Sequence, residues 1–320
     1  MIGLYRALKR SGVVGLNARN GTYILPRNSR HLYPLVDDKL RTKALAIEAG
    51  MPVPPLYGVI ETEHDIGELE SMLEPHQQFV IKPAQGSGGD GIIVVVGRMH
   101  RRATSYRQVS GNLITIADLQ HHVSNTLNGQ YSLGGHPDRA MIEYCVRFDP
   151  VFDRVSHEGV PDIRVIVYRG VPVMAMLRLP TRMSGGKANL HQGAVGAGVD
   201  MATGTTLSGV LGNDVIDEHP DTGHPIHGIA VPQWDVILEA AARSADITGL
   251  GYLGVDMVLD RELGPLMLEL NARPGLNIQL ANRCGLQPRL DATDREGPLD
   301  ADINARVAFA RARFAHTAHA

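Results

Sequence analysis

Apolar positions along this chain fall into blocks that switch between a helical and a strand period. In DDKLRTKALAIEAGMPVP, from residue 37, Leu40, Ala44, Leu45 and Ile47 form an apolar helical face. Asp37 or Asp38 can cap its start, and Gly50 followed by Pro52 ends it. FVIKPAQGSGGDGIIVVV, Phe79 to Val96, predicts a strand to Lys82, a glycine-rich turn from Gly86 to Gly91 and a β-branched strand from Ile92. MIEYCV at 141–146 is strand-like. PDIRVIVYRGVPVMAMLRLP, 161–180, predicts two strands around an Arg169-Gly170 turn. Counting by two sets Arg164 on a face with Ile166 and Tyr168, and Met174, Met176 and Arg178 on another. VPQWDVILEAAARSADITGLG predicts a helix from about Gln233 to Thr248, stopped by Gly249. YLGVDMVLD and GPLMLELNA flank RELGP and predict an antiparallel hairpin centred near residue 263. Residues 1–36, broken by Pro26 and Pro34, form a lead-in, and the Ala- and Arg-rich end predicts a terminal helix that frays.

Composition narrows the class. A chain of 320 residues buries a large core, enough for one large domain or two to three lobes. With 31 Lys and Arg against 34 Asp and Glu, the net charge is −3, which gives no pull toward nucleic acid or an anionic membrane. The two cysteines, Cys145 and Cys284, are far apart and fit a reducing compartment or core filling. No apolar run reaches the ~20 residues of a membrane span, and MIGLYRALKRSGVVGL lacks the apolar stretch of a signal peptide. The expectation is a soluble cytoplasmic protein without membrane insertion, and oligomerisation is compatible with it.

Candidate chemistry sits at four places. Lys39 lies in a first helical turn, against the dipole, where an anion would hold it; a solvated lysine is the plain alternative. Lys82 lies inside a strand, a poor place for an ammonium unless it meets an anion. The glycines after it let backbone N–H groups approach phosphate, although no Walker A lysine follows; an ordinary glycine-rich hairpin is the alternative. In the last hairpin, pairing sets Asp256 opposite Glu269 or its neighbour, and the strand period puts Asn271 on the face of Glu269. Like charges placed opposite each other are destabilising, so these hard oxygen donors make sense around a cation, and few dedicated ligands favour Mg²⁺. Arg164 and Arg178 on apolar strands need acceptors. His219, His224 and His227, spaced by Pro and Gly, predict a solvated loop rather than a metal site.

The ordered set of Lys39, Lys82 with its glycine loop, IEYCV, DIR at 162–164, NLHQGA at 189–194, GVDMV at 254–258 and LELNARPG at 268–275 resembles the ATP-grasp superfamily, most closely its RimK-like α-L-glutamate ligase branch. The resemblance runs from about Asp37 to Gly275. It implies an α+β ATP-grasp fold with ATP between two lobes and a strongly shortened N-terminal pre-ATP-grasp domain. The implied organisation is a lead-in at 1–36, an N-lobe at 37–139, a C-lobe at 140–290 and a tail at 291–320. By motif match, Lys39 and Lys82 contact ATP phosphates, the loop of Gly86, Ser87, Gly88, Gly89 and Gly91 closes over them, and Glu143, Tyr144 and Cys145 form the adenine hinge. Asp256, Glu269 and Asn271 hold one or two Mg²⁺, with Mn²⁺ as a substitute, while Arg164, Arg178 and Asn189 lie near the reacting carboxylate and γ-phosphate. The implied activity is ADP-forming carboxylate–amine ligation through an acyl phosphate, joining an amino acid such as glutamate to a peptide, protein or small amine. Arg273 stands where glutamate ligases often have a small residue, and it is expected to read another anionic group. Two alternatives are an ATP-binding regulatory subunit without turnover and a carboxylate kinase.

Overall fold

The structure, a computed structural model, describes residues 8–86, 88–100, 104–132 and 134–316. They form two compact units, one from residues 38–40 and 53–146, the other from the described parts of 1–37, 41–52 and 147–320. Strand 140–143 and the MIEYCV segment therefore group with the smaller unit, and the tail after 290 groups with the larger one.

The smaller unit is built on an antiparallel sheet of β1 (Leu56–Ile60), β2 (Phe79–Pro83), β3 (Ile93–His100), β4 (Thr104–Gln108), β5 (Leu113–Thr115) and β6 (Ala140–Glu143), in the order β1-β6-β2-β3-β4-β5. One helix in this unit, Ile116–Leu127, starts at a capping box in which Thr115 and Asp118 exchange hydrogen bonds with each other's backbone N–H. Its Leu119, Val123 and Leu127, spaced by four, meet Phe79, Ile81, Tyr106 and Ile142 in the core. Truncating Leu119 to Ala would cost about 2–5 kcal/mol as burial is lost and a cavity left.

The larger unit carries β7 (Asp162–Tyr168), β8 (Val171–Leu179), β9 (Val195–Val199), β10 (Thr206–Leu211), β11 (Asp214–Ile216), β12 (Tyr252–Asp260) and β13 (Gly264–Asn271) in the antiparallel order β11-β10-β9-β8-β7-β12-β13. Arg169 (φ 51°) and Gly170 (φ 78°) make the tight turn between β7 and β8. Trp234–Thr248, ended by Gly249 at φ 68°, packs on β7 and β12, and Ile303–Arg313 packs on it and on β8.

Local signals misplaced three features. In the helix Lys39–Glu48 the buried side chains are Thr42, Lys43 and Ala46, while Ile47 is 58% exposed. Thr42 turns inward because its hydroxyl donates to the Leu35 carbonyl (2.7 Å), a bond that apolar periodicity cannot anticipate. The lead-in is part of the larger unit's core: Arg19 donates to the Pro274 carbonyl (2.7 Å), and Asn28 exchanges hydrogen bonds with the Tyr252 backbone (2.7 and 2.9 Å). The last helix is tied down rather than fraying, with Asp302 capping Ala305 N (2.8 Å), Arg306 paired to Asp246 (2.6 Å), and Val307 and Ala310 buried.

Candidate active site

In the smaller unit the two predicted lysines already have oxygen partners. Lys39 donates to the Gly86 carbonyl (2.5 Å). Lys82 forms a buried ion pair with Glu143. That pair follows from register: Lys82 faces Met141 across β2–β6, so Glu143, two residues on, is its diagonal neighbour on the same face. Tyr144 N donates to the Pro55 carbonyl (2.9 Å), and Cys145 is buried. The glycine loop is pinned at both ends. At its start, Gln85 N donates to Asp138 (2.9 Å) and Gly86 bridges to Ser132. At its end, His122 Nε2 donates to the Gly91 carbonyl (2.9 Å), and Tyr131 OH donates to His122 Nδ1 (3.3 Å). Gly88, Gly89 and Gly91 have φ of 67°, 82° and 73°, and a Cβ on Gly91 would lie 2.5 Å from the Tyr131 ring. A larger residue at Gly91 would meet both strain and a clash. Ser87 lies outside the described residues. Burial lowers the pKa of His122, so the ring is held neutral, which suits the Nδ1 acceptor role.

In the larger unit, Asp256 pairs directly with Glu269, one of the two registers that the sequence pattern allows, and Gly254 pairs with Asn271. The next pair is Met257 with Met267, so Leu268 is an extra residue, a β-bulge. The bulge puts Glu269 and Asn271 on the same face as Asp256 and Leu266. Asn271 Nδ2 donates to Asp256 Oδ2 and to Glu269 Oε1, each at 3.3 Å. The Asp256 and Glu269 carboxyl groups are also within hydrogen-bonding reach of each other, an arrangement that needs a proton or a cation between them.

Two arginines complete this cluster. Register pairs Arg164 with both Asp256 and Met176, and Asp162 with Arg178, so both arginines share one face with Asp256. Counting by two within each strand had separated them, because it ignored the pairing across the hairpin. Arg164 grips Asp256 through Nε (2.6 Å) and Nη2. Arg178 bonds Asp162 through Nε and Nη2 (2.5 Å), and Asp256 through Nη2 (2.9 Å). The Nη1 group of each arginine makes no hydrogen bond to a described residue, so both guanidinium groups are anchored along one edge with donors to spare. Burial works to raise the Asp256 pKa, but the Arg164 and Arg178 charges outweigh it and hold the carboxylate below its usual range. Asp162 goes the other way: burial outweighs Arg178 and pushes it up to about 6.

Asp162 is the residue that sequence reasoning missed in this cluster. Its position opposite Arg178 was implicit in the hairpin. Asn189 stands apart from the arginines in its bonding: its side-chain oxygen accepts from His191 N (3.0 Å) and closes a local turn. Arg273 lies over the Tyr33 ring, 4.9 Å from its centroid. The histidine loop is only partly solvated, since His219 is fully buried and donates from Nε2 to the Pro180 carbonyl (3.0 Å). Among the described residues no group of three or more His, Cys, Asp and Glu gathers as a metal site. The donors that converge at β12–β13 are two carboxylates and an amide. The carboxylate oxygens are hard donors of the kind that suit an Mg²⁺ site with few protein ligands, and the amide turns its Nδ2 toward them. No helix among the described residues is long and apolar enough to cross a membrane.

Among solved structures, the chain resembles a pyruvate carboxylase from Rhizobium etli (15% identity, TM-score 0.51, 91% of this chain and 22% of that one). It also resembles the ATP-grasp ligase PsnB complexed with precursor peptide PsnA2 and AMPPNP (15%, TM-score 0.45, 88% and 62%). A third is the D-alanine-D-alanine ligase from Coxiella burnetii (13%, TM-score 0.43, 88% and 59%). The chain thus spans about three fifths of the length of the ligases it resembles. The sequence finds no match among curated proteins. The likeness to the carboxylase concerns the fold alone. The match to the sugar-transfer associated ATP-grasp family covers residues 18–295, most of the length, and the chain belongs to that family.

Proposed function

We propose that this chain is an ATP- and Mg²⁺-dependent ligase that joins a carboxylate to an amine through an acyl phosphate. The observation that carries this reading is the pair of anchored arginines, Arg164 and Arg178, beside the Asp256–Glu269–Asn271 donors. Lys39 and Lys82 neutralise ATP phosphates, exchanging the Gly86 carbonyl and Glu143 for phosphate oxygens. The glycine loop supplies backbone N–H groups. Glu143, Tyr144 and Cys145 receive the adenine. Asp256, Glu269 and Asn271 hold Mg²⁺, which when bound screens the charge of the transferring phosphate. The spare Nη1 donors of Arg164 and Arg178 orient the substrate carboxylate and the γ-phosphate, with Asn189 as a further contact. The carboxylate oxygen attacks the γ-phosphorus, ADP leaves, and an amine then displaces phosphate from the acyl carbon, losing its proton to solvent. Such a reaction depends on positioning and charge neutralisation rather than on a nucleophilic side chain.

The RimK-like motif resemblance makes glutamate the first donor to try. The family's description directs the acceptor screen to sugar-borne amines as well as peptides. The test is ADP release by the purified protein with Mg-ATP, alone and with each common amino acid, with products followed by mass spectrometry. A new amide mass that depends on one amino acid is the expected result. ATP binding without ADP release under every donor and acceptor would replace the ligase with a nucleotide-binding regulator, and hydroxylamine trapping of an acyl phosphate without any amide would leave a carboxylate kinase.

A further inference from the structure

A second strongly charged site lies in the larger unit, away from β12–β13. It is a cavity of about 470 Å³ where residues 9–12, the helix Gln287–Glu296 and the end of the helix Ile303–Arg313 meet. Lys9, Arg10, Arg289, Arg295 and Arg313 line it, with Asp291 as the acidic lining residue. Arg313 also pairs with Glu296 (3.1 Å). Five cations against these two carboxylates leave an excess of three positive charges in a chain whose net charge is −3.

The walls are fixed. The Arg289 guanidinium lies over the buried Phe314 ring, 5.5 Å from its centroid, and donates through Nη1 to the Val173 carbonyl on β8 (2.7 Å). Burial lowers its pKa, so an anion beside it would relieve a real cost. The chain just beyond the 9–12 turn is tied to the chain before the Gln287 helix by Gln279, a buried side chain that accepts from Val14 N (2.8 Å) and Leu286 N (3.0 Å) and donates to the Val14 carbonyl (3.0 Å). Gln287 N donates to the Gly12 carbonyl (3.0 Å), and a Cβ on Gly12 would lie 2.6 Å from Pro288, so the 9–12 turn is pressed against the helix start. Lys9 and Arg295, at the rim, make no side-chain hydrogen bond or ion pair with a described residue.

We infer that this cavity binds a small phosphorylated molecule, at a site separate from the residues assigned to ATP. Its volume is that of a small-molecule pocket, and guanidinium groups match the paired oxygens of a phosphate. A concave site on a net acidic chain suits a compact multivalent anion rather than a polynucleotide, which needs an extended basic stripe.

The test is calorimetric titration with inorganic phosphate, pyrophosphate, glucose 1-phosphate and, as a non-phosphate anion, citrate. Each is run on the full chain and on a Lys82→Met variant, which removes phosphate binding at the glycine loop. One phosphorylated probe should bind one to one and equally well to both proteins. The Lys9→Glu/Arg295→Glu double variant should bind it about tenfold or more weakly with an unchanged melting temperature, as expected when charges at exposed positions are reversed. Asp291→Asn should tighten binding, a gain that misfolding cannot produce. Binding lost in Lys82→Met, binding unaffected by the double reversal, preference for citrate, or no saturable binding of any phosphate would each overturn the inference.

Discussion

The glycine-loop group of the smaller unit and the carboxylate hairpin of the larger unit satisfy their charges in opposite ways. At the hairpin, Asp256 is surrounded by charged and amide donors from three strands: Arg164 on β7, Arg178 on β8 and Asn271 on β13. All of these contacts are strand-borne. At the loop, Lys39 leans on a backbone carbonyl, Lys82 on a single glutamate, and the segment that should enclose phosphate is fixed mainly at its ends. The hairpin is organised before any ligand arrives, whereas the loop group has partners that it can exchange for phosphate. Under the proposed function, positioning of the reacting carboxylate would fall to these strand-borne groups, and recognition of the nucleotide to the glycine-loop segment.

The sharpest way to break this contrast is Asp256→Ala. It leaves Arg178 and Arg164 without their shared acceptor, and unfolding titrations should show a loss of about 3–5 kcal/mol, the scale for breaking a buried ion pair. Lys82→Met in the other group removes the cation that faces the buried Glu143, so it should cost stability on a similar scale and weaken ATP binding as well. Next in size is Glu269→Ala, which should lower turnover by ~100-fold, the scale of losing an electrostatic stabiliser, with a melting temperature close to that of the parent. Unchanged turnover would remove Glu269 from the metal set. A smaller effect is expected from His122→Phe, which releases the Gly91 carbonyl: amide exchange of the loop should speed up and the KM for ATP should rise, while kcat changes little. Unaltered exchange would show that the loop holds itself.

The smallest effect concerns His219, outside both groups. Burial lowers its pKa below the usual 6.5, so the unfolded chain takes up a proton that the folded one refuses. Its contribution to stability is complete above pH 6.5 and is lost as pH falls through the depressed folded value. His219→Gln should flatten the slope of stability against pH below about 6.5, read by melting curves from pH 5 to 8. A slope equal to the parent's would mean that another group governs it.

The hairpin was legible because two apolar runs of similar length flank a turn, and that symmetry sets Asp256 against Glu269 or its neighbour; the bulge at Leu268, invisible in the pattern, decides between them. Lys82 was legible as a charge misplaced in a strand. The β7–β8 cluster was not, because a period of two within one strand says nothing about which residues of its neighbour share the face. Asp162 and the common face of Arg164 and Arg178 appear only once Asp162 is paired with Arg178. The His122–Tyr131 clasp joins residues 31 and 9 apart through a backbone carbonyl and a ring nitrogen, contacts with no signature in side-chain pattern. The lead-in escaped for the same reason, since Arg19 and Asn28 act on the main chain of residues far along the sequence.

Leu268 gives the hairpin an unusual kind of vulnerability. Its extra place in β13 acts as a spacer that resets the strand's phase, so that Leu266, Glu269 and Asn271 stand on the same side although the first two are three residues apart. Were Leu268 taken into the regular pleat, Glu269 and Asn271 would fall on the side opposite Leu266, whereas deleting it would leave Leu266 and Glu269 two residues apart and keep that side in common. The identity of the residue at 268 matters little to that alignment; the bulge that takes it out of the pleat decides it.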